Sequence, residues 1–269
     1  MKLIMKQKLS SISVKSFILV FLVACSFNIF PVSDDIQLGK QVKQEIDNDP
    51  NQFPILNNAA ARSYLQNMIN QIIMSPKIKY RKEFAYKVEI IKDDKTINAF
   101  CTPGGYIYVY TGLLKKLDNE AALAGVLGHE IAHAENRHST QRMTKQYGAS
   151  VLTNVVLGNE AGQLEQLGAN LLTGVALLKN SRDDELEADE DSFHYLESTK
   201  WYPGGIKFFF EKIMTNKSSS IFQELLSTHP MPQDRLDQIN KLIKESNTTG
   251  ATKGDNLFRA RYQEFLKSL

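Results

Sequence analysis

Only two cysteines, Cys25 and Cys101, occur in 269 residues, so no disulfide framework can hold the chain together. Long apolar runs are also missing. The most apolar stretch begins at Phe17–Ala24 and stops at Pro31, well short of the roughly 18 residues that cross a membrane. Charge of neither sign dominates. Residues 1–24 hold four of the 32 basic residues and no acid, which leaves 28 basic against 30 acidic residues, a net of about −2. That balance excludes a nucleic-acid-binding face. No repeat of 30 to 50 residues is visible, which excludes a solenoid. With 42% hydrophobic and 23% charged residues, a disordered or fibrous chain is excluded as well, and the length suits one globular domain with appendages.

The N-terminus is a targeting segment rather than part of the fold. Lys2, Lys6, Lys8 and Lys15 precede the short apolar stretch FILVFLVA at Phe17–Ala24, the layout of a secretion signal. Leu22-Val23-Ala24-Cys25 resembles the bacterial lipobox. That resemblance implies cleavage after residue 24, lipid on Cys25, and a chain held by lipid to a membrane of the bacterial cell envelope, facing the periplasm. Ser26 is compatible with sorting to an outer membrane.

Residues 26–50 read as a polar tether running into a helix. Between Asn58 and Met74 the apolar residues Ala61, Leu65, Met68, Ile69, Ile72 and Ile73 recur at helical spacing, and Pro76 should stop that helix. Three extended runs follow, Tyr86–Ile91, Ile97–Cys101 and Tyr106–Tyr110. With turn residues at Asp93-Asp94-Lys95 and Pro103-Gly104-Gly105, they predict a small antiparallel meander in which Tyr106, Tyr108 and Tyr110 pack. Asp118 is the expected N-cap of a helix continuing to about Met143. Residues 146–180 read as two helical pieces lying on the domain or on the membrane surface. Ser181, with Asp184 three residues on, announces another helix. Beyond the break at Tyr202–Gly205 come an aromatic stretch, a Ser-rich loop at 218–220, and a helix presenting Leu236, Ile239, Leu242 and Ile243 on one face.

One five-residue stretch stands out, HEIAH at His129–His133. A shuffled chain of this composition would contain such a match with a probability of about 0.005. Four helical residues advance about 400° and 6 Å, so both imidazoles can meet one tetrahedral metal, with Glu130 rotated about 100° to the side. Two histidines and a glutamate buried among Leu123, Val126, Leu127 and Ile131 without a metal would carry a large polar cost. His138 lies about 180° from His129 if the helix continues, so it should face away. In Glu185-Leu186-Glu187-Ala188-Asp189, Glu185 and Asp189 share a face while Glu187 should point to solvent. Spacing leaves open which of the two acids is a metal ligand. His194 lies opposite Glu185 and reads as ordinary structure.

HEIAH followed by ELEAD, with NAFCTPGGYIYVYTGLL upstream and STHPMPQDRL downstream, resembles the zinc endopeptidases that include the CAAX prenyl proteases, the HtpX-type membrane proteases and the BepA-type periplasmic proteases. The likeness spans roughly residues 85–245. The soluble BepA-like branch fits best, without tetratricopeptide repeats. The resemblance implies an α+β fold, a mostly helical zincin-like (gluzincin) domain with a small antiparallel sheet beside the active-site helix. It implies one Zn2+ per chain on His129, His133 and Glu185, with Glu130 as general base and Asp189 orienting a ligand. His229 and Arg235 should stand near the zinc as oxyanion donors, or His229 should occupy the open coordination position and silence the enzyme. Asn98–Cys101 corresponds to an edge strand to which an extended peptide would add, although Cys101 departs from the small or aliphatic residue expected there. The divisions that follow are a lipoprotein signal at 1–24, a tether and N-terminal helix at 25–50, a zinc metallopeptidase domain at 51–246, and a linker with a short helix at 247–269. Expected partners are protein or peptide substrates, unfolded or misassembled envelope proteins. The competing expectations are an envelope chaperone or assembly factor with a structural or latched zinc site, and a metallohydrolase acting on something other than peptides.

Overall fold

The computed structural model describes residues 28–145, 180–215, 222–230, 232–246 and 255–269. The signal at 1–24, Cys25, the helical pieces within 146–179 and the Ser-rich loop at 218–220 lie outside the described residues. Among the described residues no helix is long and apolar enough to cross a membrane.

Three short strands form the sheet, β1 (Lys87–Ile91), β2 (Ala99–Thr102) and β3 (Tyr106–Tyr110), in the order β1-β3-β2. The pairing corrects the expected antiparallel meander. β2 runs antiparallel to β3, with Phe100 opposite Tyr108, but β1 runs parallel to β3, with Ile90 opposite Val109. The reason lies in Asp93-Asp94-Lys95, which is a crossover rather than a hairpin turn. The Asp93 carbonyl accepts from Gly112 N at 2.9 Å and Asp94 pairs with Lys115 at 2.6 Å. The chain is thereby pinned to the helix beyond β3, α3 (Thr111–Lys116), and returns on the far side of β3. The β2–β3 link does turn tightly. Gly104 (φ 72°) and Gly105 (φ 85°) adopt the left-handed conformation that glycine enters without steric cost.

Alternation along the strands divides the core in two. Val88, Ile90, Ala99, Ile107 and Val109 join the main core with α2 (Ala59–Ile72) and the helices described below. Ile91, Phe100, Tyr108 and Tyr110 face the other way, against Leu38, Val42 and Ile46 of α1 (Val32–Asn48). Tyr108 stacks on Phe100 with ring centroids 4.9 Å apart, so the tyrosines pack as expected. α2 is capped by Asn58, whose side chain accepts from Ala61 N at 3.0 Å, and it ends at Ile72, ahead of Pro76.

α4 (Glu120–Glu135) runs through the middle of the molecule, and all its residues are buried. Its N-cap is Asn119, which accepts from Ala122 N at 2.8 Å; Asp118, the expected cap, instead pairs with Lys212 at 2.7 Å. The helix stops at Glu135 rather than near Met143, because Arg137 takes φ 55°; residues 138–145 are helical again on a new axis. Against α4 lies α5 (Arg182–Leu196), opened by the expected capping box of Ser181 and Asp184. The two helices approach so closely that a Cβ on Gly128 would stand 2.5 Å from Ser192 Oγ. α6 (Lys207–Thr215), α7 (Gln223–Thr228), α8 (Pro232–Glu245) and α9 (Arg259–Leu266) complete the shell. α9 is tied in by Tyr262, whose hydroxyl donates to Leu114 O at 2.7 Å. Mostly helical, with a small mixed sheet against α4, the fold is of the α+β class.

Candidate metal centre

One turn apart on α4, His129 and His133 present their Nε2 atoms to each other at 2.9 Å. Glu185, in the first turn of α5, places Oε1 3.2 Å from His133 Nε2 and Oε2 3.5 Å from His129 Nε2. His229, at the end of α7, completes a buried group in which one donor atom from each of the four residues lies within 4.8 Å of the others. Two imidazole lone pairs facing each other need a proton or a cation between them. Ligands of a tetrahedral zinc with bonds of 2.0–2.1 Å stand roughly 3.3 Å apart, and the separations here, 2.9 to 3.5 Å, bracket that value. Glu185 Oε2 is met from behind by Arg235 Nη1 at 2.5 Å, which leaves Oε1 and the two imidazole nitrogens around the central space. Two imidazoles and a carboxylate are also a donor set that suits zinc.

The structure separates the two acids that spacing left open. Glu185 joins the imidazoles, whereas Asp189, one turn further along α5, stands behind His129 with Oδ1 2.8 Å from Nδ1. Arg235 of α8 holds Asp189 through Nε and Nη2 at 2.6 and 2.8 Å and lies over the ring of Phe210, 4.5 Å from its centroid. Burial alone would raise the Asp189 carboxyl, but the Arg235 guanidinium and His129 reverse this and hold it well below the usual carboxylate range. Burial and Arg235 act to lower His129, yet the Asp189 and Glu185 carboxylates outweigh them and raise it. Burial, followed by His129 and His138, pushes His133 well below its ordinary value, so it is neutral.

Glu130 is buried against this group, and burial lifts its carboxyl to about 7, opposed by His129. A general base works best near that value at neutral pH. Across the cleft, His229 Nε2 lies 3.7 Å from Glu130 Oε1. Burial drives His229 down to about 3, so its ring is neutral, and its Nδ1 lies 2.9 Å from Thr228 Oγ1.

Comparison with known proteins matches residues 59–243 to Peptidase family M48. The chain belongs to peptidase family M48. It is 27% identical over 215 residues to the beta-barrel assembly-enhancing protease of Escherichia coli K12, covering 76% of this chain and 43% of that protein. To the mitochondrial metalloendopeptidase OMA1 of Arabidopsis thaliana it is 31% identical over 159 residues, 59% of this chain and 31% of the relative. The Schizosaccharomyces pombe protein of the same name is 28% identical over 193 residues, 70% and 55% respectively. The chain thus spans less than half the length of the bacterial relative. Peptidases of family M48 are zinc-dependent metallopeptidases, and the buried histidine and glutamate group lies within the residues that match the family.

Beside the M48 site runs a cleft with roughly 600 Å³ of open space, lined by Phe100, Cys101 and Thr102 of β2 together with Glu130, His133 and His229. Among the described residues β2 is an edge strand, as the family resemblance implies. Because Tyr110 N donates to Asn98 O at 3.1 Å, the alternation of an antiparallel ladder turns the backbone groups of Ala99 and Cys101 to the open edge. The Ala99 N–H is met by the Asn98 side chain at 3.0 Å. Burial and the charge of Glu130 raise the Cys101 thiol, which donates to Thr102 O at 3.3 Å.

Two residues near the site escape sequence reasoning. Asn180 sits where its amide donates to Glu185 Oε1 and lies 3.2 Å from His133 Nε2; its position immediately before the Ser181 cap was the available signal. His138 was expected to face away from the site and does not. The left-handed turn at Arg137 ends α4 and swings His138 back, so that its Nδ1 lies 2.7 Å from His133 Nδ1. Glu187 is largely exposed as expected, but it meets His138 Nε2 at 3.2 Å. His194 pairs with Glu197 at 2.8 Å, outside the site, in keeping with a structural role.

Proposed function

We propose that this chain is a zinc endopeptidase of the bacterial cell envelope, held to the membrane by lipid on Cys25, that cleaves unfolded or misassembled envelope proteins. The observation that carries the reading is the meeting of His129, His133 and Glu185 with Glu130 at the foot of an open strand edge. The envelope assignment rests on the lipobox resemblance of Leu22–Cys25 and on likeness to a bacterial protease named for β-barrel assembly.

His129, His133 and Glu185 would hold the zinc, which supplies a Lewis acid for the scissile carbonyl and acidifies water at the site. An extended peptide adds to β2 through the outward groups of Ala99 and Cys101, which brings one carbonyl over α4. Glu130 then takes a proton from water as it attacks that carbonyl and delivers it to the departing amine, so its carboxylate is regenerated in each turnover. Asp189 fixes the ring of His129 through Nδ1, and Arg235 balances the charge of Asp189 and Glu185. His229 presents a neutral ring to the same space. There it either donates to the oxyanion or takes the place that water and substrate need, the latched state on which an assembly-factor role would rest.

The test is cleavage of a reduced, unfolded protein by zinc-loaded chain. Glu130→Gln should retain zinc and fold while losing at least a thousandfold in rate; undiminished cleavage by metal-pure variant overturns the mechanism. His229→Ala should raise the rate if the ring latches the site and lower it if it donates.

A further inference from the structure

His133 is backed by a chain of contacts that leads out to solvent. Behind its Nδ1 stands His138 Nδ1 at 2.7 Å, and His138 Nε2 lies 3.2 Å from Glu187 Oε2. The His138 ring is buried, while the Glu187 side chain is 59% exposed. We propose that His138 and Glu187 form a relay that fixes the His133 imidazole in the tautomer whose Nε2 lone pair faces the metal position. The proposal rests on the reading of His133 as a zinc ligand.

The proton assignment follows from the contacts, because each can be satisfied in only one way that leaves His133 able to bind a metal. A metal-facing Nε2 carries a lone pair, so the proton of neutral His133 is on Nδ1 and must be donated to His138 Nδ1. His138 Nδ1 is then an acceptor, its proton is on Nε2, and it donates to the Glu187 carboxylate. On the front of His133 the Asn180 amide, an obligate donor 3.2 Å from Nε2, demands the same tautomer, and His129 Nε2 lies 2.9 Å from the same lone pair. The ring is thus set for metal before metal arrives.

The arrangement differs from the one behind His129, where Asp189 meets the ring directly. At His133 an imidazole intervenes, and the carboxylate sits at the surface. Outer partners of ligating histidines restrict ring orientation and raise basicity, and their loss typically weakens metal binding 10- to 100-fold. His138 and Glu187 are therefore positioning residues, acting through His133.

Two measurements on the full-length chain test this. In metal-free, 15N-labelled protein, the His133 ring should show a protonated Nδ1 and an unprotonated Nε2, and His138 a protonated Nε2; a His133 ring protonated on Nε2 overturns the proposal. In chelator competition, His138→Ala should weaken zinc binding 10- to 100-fold. His138→Asn, whose Oδ1 falls near the lost Nδ1 and accepts the same proton, should recover most of it, and Glu187→Gln should cost less than His138→Ala. Equal weakening by His138→Ala and His138→Asn, with both variants folded, also overturns it. Absence of zinc binding by the unaltered chain would instead sink the metal-site reading, and the tautomer measurement separates the two failures.

Discussion

Arg235 grips Asp189 along one edge of its guanidinium, Nε to Oδ2 at 2.6 Å and Nη2 to Oδ1 at 2.8 Å, while its remaining nitrogen, Nη1, lies 2.5 Å from Glu185 Oε2. One cation therefore neutralises two buried carboxylates, one of which also faces the metal position. Removing a partner of a buried ion pair leaves an uncompensated charge and costs about 3–5 kcal/mol. In metal-free protein, Arg235→Ala should lower the unfolding free energy by about that amount. Saturating zinc should recover part of the loss, because a dication takes over the neutralisation of Glu185. Denaturant titrations with and without zinc check this, and an identical penalty in both would show that Arg235 does not act through Glu185.

Glu130 supplies a pH dependence with a definite sign. Burial raises its carboxyl from an ordinary 4.5 to about 7. The folded state therefore holds that proton more tightly than the unfolded chain does, and the stability it contributes is present below pH 4.5 and lost as pH rises toward 7. Glu130→Gln removes the ionisation. In metal-free protein, the variant should gain on the unaltered chain across this window, by about 3 kcal/mol at its upper end. Zinc favours the ionised carboxylate, so loading both proteins should flatten the difference. Parallel stability curves across pH 4.5–7 without zinc would contradict the assignment.

The open edge of β2 makes a prediction about substrate rather than stability. Cys101 turns its N–H away from β3, and proline is tolerated at an edge position whose N–H is not used by the ladder. Cys101→Pro should leave the fold nearly unchanged while lowering kcat/KM for an unfolded protein tenfold or more, chiefly through KM. Cys101→Ala should leave it intact. A proline variant with unaltered KM would show that peptides do not add along β2.

Features held by neighbouring residues were the ones legible in the sequence. The Asn58 side of α2, the Ser181–Asp184 box and the convergence of His129 with His133 each depend on contacts within a turn or two of helix, where residue type and spacing carry the information. The edge position of β2 came through family likeness. The parallel pairing of β1 with β3 did not come through, because it depends on where Asp93 and Asp94 anchor against α3, a contact between segments about twenty residues apart. His138 was missed for a narrower reason. A single left-handed residue, Arg137, interrupts a pattern that reads as one continuous helix, and every angle reckoned beyond it is wrong.

The first described residues leave little slack. Asn28 hydrogen-bonds to Thr140 at 2.8 Å, Ile29 N donates to Thr144 Oγ1 at 3.3 Å, Phe30 is buried, and its carbonyl is held by Arg137. With lipid on Cys25 as proposed, the leash from bilayer to folded protein is the span from Cys25 to Asn28, about 10 Å at full extension. A protease so moored would sweep a surface rather than a volume, and would meet whatever lingers unfolded at the membrane face.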